Sequence, residues 1–236
     1  MRSLRPGRYL PRPTALVTAA AFVLAWVALL GMVLTREGLA EDDGPLLRWL
    51  MDHRTAGWTT ALEAVSSGAA VTAVVLGTGG VAAAAALTRR SWRPAVTVAL
   101  VGGAAAVTSS LVKALVGRSR PSTSVMLGAP ETGYGFPSGH TLITTALVGA
   151  AALVVWRATA RPLARIAAVL TAAGVALAMG ASRLYLGDHW LTDVLAAYAL
   201  AGAVLATAAW LTIGGRQAGS GAAGRRLFGR AATAAS

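Results

Sequence analysis

The chain has no cysteine, a single lysine (Lys113) among its 21 basic residues, and only nine acidic residues in a length of 236. Without cysteine, neither a disulfide framework nor a thiolate metal site is available. Charged residues make up 13% of the chain and aromatics 6%, whereas hydrophobic residues reach 56% and the mean hydropathy is +0.62. So little charge excludes an ordinary water-soluble domain of this size and assigns an integral membrane protein. The net charge of +12 does not indicate nucleic acid, because the arginines stand in short clusters between apolar runs and not on a soluble basic face with aromatics among them.

What the chain does have is a series of apolar runs. Residues 14–34 form 21 uncharged positions, long enough to span a bilayer. A signal peptide is the competing reading of this run, given the basic segment before it and the loosely cleavage-like Gly38-Leu39-Ala40, but the run exceeds the usual apolar region of such a peptide. Further spans are expected at 61–87, 95–116, from His140 to 156, at 163–181 and at 190–213. The fold class is therefore an all-α, integral membrane bundle of six transmembrane helices over residues 14–213. Residues 42–58, with Leu46, Leu47, Leu50 and Met51 among charges, read as a short extracytoplasmic amphipathic helix anchored by Trp49 and Trp58. Residues 1–13 and 214–236 read as basic cytoplasmic tails, the second rich in Gly and Ala and expected to be disordered.

Arginine distribution sets the orientation. The N-terminal tail, the 89–93 turn, the 157–165 turn and the C-terminal tail carry 4, 3, 3 and 4 basic residues and no acidic ones. By the positive-inside rule these segments face the cytoplasm, with both termini inside the cytoplasmic membrane. Lys113, Arg120, the Pro137-Ser138-Gly139-His140 turn, Arg183, His189 and Asp193 then all converge on the extracytoplasmic face.

Those residues form a coherent set for phosphoryl transfer. Lys113, Arg120 and Arg183 supply cationic donors for non-bridging oxygens, arginine as a planar fork and lysine as a point charge. Ser138 and Gly139, at the start of a span, offer backbone N–H groups where a helix end favours anions, and glycine permits close approach. His189 and Asp193 are four residues apart and so share a helix face, where the carboxylate orients one imidazole nitrogen and leaves the other to attack phosphorus. His140, without a carboxylate in its motif, is left as general acid for the leaving group and then general base for water. No carboxylate cluster accompanies these cations, so metal-independent chemistry without a cofactor is expected.

Lys113 through Arg120-Pro121, Pro137-Ser138-Gly139-His140, and Ser182-Arg183 followed by His189 and Asp193 together resemble the three-part signature of the type 2 phosphatidic acid phosphatase superfamily. The resemblance covers roughly residues 42–205. It implies a phosphohistidine at His189, acid catalysis by His140, and phosphate binding at Lys113, Arg120, Ser138, Gly139 and Arg183. The expected function is hydrolysis of a lipid phosphate or diphosphate, with polyprenyl diphosphate, phosphatidylglycerophosphate and phosphatidic acid as candidate substrates and the membrane as partner. Asp188, beside His189, departs from the apolar or neutral residue frequent in relatives and is left unplaced, in chemistry or as a helix cap. A lipid phosphotransferase using the same site, and a non-catalytic transporter or scaffold, are the rival functions; the paired histidine and carboxylate speak against the latter. Soluble haloperoxidases share the phosphate-site design, but six uncharged spans exclude a soluble member. His53 reads as part of a solvated face, and Glu63 as an interhelical hydrogen-bonding group near the membrane boundary.

Overall fold

A computed structural model of the chain describes residues 12–128 and 130–232. The expected basic tail therefore lies largely outside the described residues, since only Arg12 and Pro13 of it are included, as the start of the first helix. The element order is α1 (Arg12–Thr35), a 3-10 turn (Gly38–Ala40), α2 (Asp43–Asp52), α3 (Ala56–Ser66), α4 (Gly68–Arg89), α5 (Arg93–Val116), α6 (Gly139–Ala158), α7 (Pro162–Tyr185) and α8 (Leu191–Ala232). Among the described residues there is no strand. Six helices are long and apolar enough to cross a membrane: α1, α4, α5, α6, α7 and the Leu191–Thr212 portion of α8.

The second span differs from the sequence reading. Residues 61–87 are not one helix: Ser67 has extended backbone angles (φ −62°, ψ 154°) and its hydroxyl accepts a hydrogen bond from the Ala70 N–H at 3.1 Å, which caps α4. The crossing helix starts at Gly68, and Glu63 lies on the separate α3, which Thr55 caps through the Trp58 N–H at 3.4 Å. The amphipathic 42–58 stretch is likewise α2 followed by the first turn of α3, with Trp49 and Trp58 exposed. His53 is exposed and stacks on Trp49 with ring centroids 4.3 Å apart. At the other end of the chain, α8 continues as helix to Ala232 where a disordered tail was expected from residue 214.

Packing centres on α6, which lies against α4, α5, α7 and α8. The buried faces are built from small residues (Ala82, Ala85, Ala105, Ala146, Ala150, Ala197, Ala201) with Val101, Leu142 and Leu200 between them. Small side chains let helix backbones approach closely, which is how helices associate where lipid gives no hydrophobic drive. Gly102 makes this concrete, since a β-carbon there would stand 2.8 Å from Leu147 Cδ2, whereas Gly103 faces open space. α1 runs along α8, with the Phe22 ring over Gly202. Large apolar side chains, among them Leu24, Leu76, Leu100, Leu115, Leu163 and Leu170, point outwards. That much exposed apolar surface fits hydrocarbon and not water.

Candidate active site

The site forms at the end of the bundle where α5 and α7 finish and α6 and α8 begin. α5 ends at Gly117, whose left-handed conformation (φ 63°) lets its N–H close on the Lys113 carbonyl at 3.0 Å and turns the chain into the 117–138 loop. That loop crosses the bundle end and enters α6 through the cis Phe136–Pro137 peptide. α7 ends at Tyr185, and Gly187 (φ 82°) turns the chain so that Asp188 and His189 fold back onto the Arg183 carbonyl. Asp193 then reaches back from the first turn of α8 to accept the Trp190 N–H at 3.1 Å, the reciprocal half of a capping box.

His189 is buried to 1% exposure. Its Nδ1 is 3.3 Å from Asp193 Oδ2, and its Nε2 is 3.0 Å from Arg120 Nη1. A guanidinium only donates, so Nε2 must be the acceptor and Nδ1 must carry the proton that faces the carboxylate. Burial pushes the imidazole down to about 4, with Asp193 opposing and Arg120 and Lys113 adding to the depression. The ring is therefore neutral near pH 7, with its unprotonated nitrogen towards the cations.

Arg120 and Arg183 come together on one acidic residue. Glu131, in the 117–138 loop, pairs through Oε2 with Arg120 at 2.7 Å and through Oε1 with Arg183, and its Oε1 lies 3.6 Å from His140 Nδ1. Burial pushes the Glu131 carboxyl up, but Arg183 and Arg120, with the two histidines, outweigh it and hold it below the ordinary carboxylate range. Lys113 Nζ donates to the Tyr134 carbonyl at 2.5 Å. The buried Nε of Arg183 has no hydrogen-bond partner among the described residues, so the guanidinium keeps a donor in reserve. Asp188 finds its place here: its carboxylate is 2.8 Å from Arg183, and its carbonyl accepts Arg120 Nη1 at 3.0 Å. It is a brace for the two arginines and does not cap α8. Burial pushes its carboxyl up to about 6, against the pull of Arg183.

At the start of α6 one donor is spoken for. The Ser138 N–H, expected to face an anion, donates to the Asp193 carbonyl at 3.1 Å, and the Ser138 hydroxyl is 3.0 Å from that of Thr141. Gly139 and His140 follow as the first helical residues, whose N–H groups have no intrahelical acceptor. A β-carbon at Gly139 would meet Ser109 Oγ at 3.2 Å and Lys113 Cε at 3.6 Å, so this glycine brings α6 close to α5.

Three side chains that contact the candidate site residues escaped the sequence reading. Arg118 bridges Asp193 and Asp43, each at 2.6 Å; Asp43 belongs to α2; and Glu131 sits in a loop read only as a connector. A signal for Arg118 existed in its place between Lys113 and Arg120, but its carboxylate partners are 75 residues away on either side. Among the described residues no group of three His, Cys, Asp or Glu is arranged to hold a metal ion.

The profile of the PAP2 superfamily matches residues 90–217, more than half of the chain and the stretch holding every motif residue above. The chain belongs to the PAP2 superfamily. Phosphatidylglycerophosphatase B of Escherichia coli K12 is 40% identical over 81 residues, 34% of this chain and 30% of that protein, and the protein of the same name from Shigella flexneri matches equally. The matched stretch thus spans about 30% of the length of these curated relatives. In three dimensions the chain is similar to the crystal structure of a transmembrane PAP2-type phosphatidylglycerolphosphate phosphatase from Bacillus subtilis, with a TM-score of 0.70 and 19% identity. That match covers 81% of this chain and 94% of the other, and the two share the all-helical membrane fold.

Proposed function

We propose that this PAP2 protein hydrolyses lipid phosphates through a phosphohistidine on His189. The observation that carries the reading is the occupied anion site: a carboxylate already rests on Arg120 and Arg183 beside His140, where His189 also turns its unprotonated Nε2. A phosphate in that position meets a nucleophile, cationic donors and a proton donor together. His189 Nε2 attacks phosphorus and the bond from phosphorus to the lipid oxygen breaks, with His140 delivering a proton to that oxygen. Water, deprotonated by His140, then attacks the phosphohistidine, the P–N bond breaks, and inorganic phosphate leaves. Lys113, Arg120 and Arg183, with the Gly139 N–H, stabilise the charge on the equatorial oxygens. Because these fixed cations do that work, no metal ion is required.

A lipid substrate suits the position of the site at an end of the membrane-spanning bundle, where a headgroup reaches the cations while its tail stays in hydrocarbon. Phosphatidylglycerophosphate, suggested by the relatives' names, phosphatidic acid and polyprenyl diphosphate are the substrates to compare. Arginine clustering supports both termini in the cytoplasm and the site on the outer face of the cytoplasmic membrane. The test is phosphate release from these lipids in detergent, with and without EDTA, for the wild type and His189→Ala. Activity in EDTA that vanishes in the variant is expected. Activity surviving in His189→Ala overturns the mechanism, loss in EDTA overturns metal independence, and transfer of label to a second lipid in place of water marks a phosphotransferase.

A further inference from the structure

Arg118 is two residues from Arg120, yet its side chain serves a different set of partners. One terminal nitrogen donates to Asp193 Oδ1 and to the Thr192 hydroxyl, both at 2.6 Å, and the other donates to Asp43 Oδ2 at 2.6 Å. Asp43 in turn accepts the Thr192 N–H at 2.9 Å and the Thr192 hydroxyl at 2.7 Å. Asp43, Thr192 and Asp193 are all buried. We propose that Arg118, braced by Asp43, is a positioning residue that fixes Asp193 and through it the imidazole of His189, which makes α2 part of the catalytic apparatus. The inference rests on the reading of His189 as nucleophile.

The geometry divides the Asp193 carboxylate between two tasks. Oδ2 faces His189 Nδ1 and the Trp190 N–H, and Oδ1 is held by Arg118. Among the described residues Oδ1 accepts from no other side chain, so without Arg118 a buried charged oxygen is left unpaired. The carboxylate then keeps its charge beside the imidazole but loses the fixed orientation that Arg118 gives it. Asp43 has a second effect. A lone arginine against Asp193 would neutralise it; shared with a second carboxylate, Arg118 leaves Asp193 with charge to offer the phosphorylated or protonated imidazole.

A simple staple fastening α2 to α8 would affect stability alone, so the test reads catalysis and its pH dependence. The other charged groups facing His189 are Asp193 on α8, Arg120 and Glu131 on the 117–138 loop, and Lys113 on α5, all unchanged in the variants. Arg118→Gln, Arg118→Lys and Asp43→Asn are compared with the wild type and His189→Ala on one lipid phosphate in detergent. Arg118→Gln is expected to lower kcat roughly 10- to 100-fold with KM little changed, the scale of a misplaced reacting group. Arg118→Lys recovers part of the loss. Removing the cation moves the acid limb of kcat/KM to higher pH, and removing the Asp43 charge moves it to lower pH, each by on the order of half a unit. Opposite shifts are the signature of positioning through charge. Superimposable pH profiles, shifts of the same sign, or loss of thermal stability alone overturn the inference, and Asp43→Asn keeps the test open if Arg118→Gln does not fold. Full activity of Arg118→Gln beside an inactive His189→Ala rejects the positioning role alone; an active His189→Ala rejects the nucleophile and the inference with it.

Discussion

Glu131 and Arg120 are joined at 2.7 Å inside the group of side chains that the PAP2 motifs bring together. The same carboxylate reaches Arg183, so a loop residue of this chain occupies the position that the mechanism gives to a phosphate. Under that mechanism substrate binding requires release of Glu131, and the apparent affinity for an anion is expected to be reduced by the fraction of molecules in which Glu131 is seated.

Glu131→Gln removes the competing charge while keeping the side-chain shape. Inorganic phosphate or vanadate is then expected to inhibit at roughly five- to tenfold lower concentration, with KM lowered in parallel. Weaker inhibition would instead make the carboxylate a contributor to anion binding.

The depressed His189 sets a pH dependence of stability. Its folded value near 4 lies below the ordinary 6.5, so between these limits the unfolded chain binds the extra proton. Stability is expected to fall as pH drops from 6.5 towards 4, by roughly 3 kcal/mol at the lower limit, from a shift of that size in a buried group. His189→Gln removes this term. Melting of wild type and variant in detergent at pH 7 and pH 4.5 measures it, and the gap between them should change in favour of the variant at the lower pH; an unchanged gap contradicts the burial argument.

Gly187 carries the turn that presents Asp188 and His189. Its φ is 82°, and an added β-carbon would stand 2.7 Å from the Val125 carbonyl oxygen. Gly187→Ala is expected to cost about 2 kcal/mol, from a strained backbone and a clash with main chain, and to lower activity by displacing His189. A melting temperature and kcat equal to wild type would show that the turn accommodates a side chain.

Much of the molecule was legible in the sequence because lipid imposes strong rules. Uncharged runs had to be helices, arginine had to collect between alternate spans, and polar residues within such runs had to converge. Lys113, Arg120, His140, Arg183, His189 and Asp193 were singled out this way. The break at Ser67 was not, because an apolar run reads as continuous whether or not a serine turns the chain within it. Arg118 and Asp43 were missed for a different reason. Each is one arginine or aspartate among several in a polar segment, and the contact that gives them meaning joins segments 75 residues apart in sequence. Asp188 was noticed but not placed, since its partner Arg183 lies across the Gly187 turn. Ser138 was half read: its motif marks the site, yet its N–H serves Asp193.

The most direct measurement of the mechanism is capture of the phosphorylated enzyme. His140→Ala lacks the base that activates water, and a 32P-labelled aryl phosphate, whose phenolate leaves without a general acid, bypasses the other task of His140, so rapid quenching with that substrate should trap label on the protein. The label is expected to be stable in alkali and labile in acid, as a P–N bond is, to map to the peptide containing His189, and to be absent when His189→Ala is combined with His140→Ala. Label that persists without His189, or turnover by the wild type with no protein-bound phosphate at any time, contradicts the mechanism.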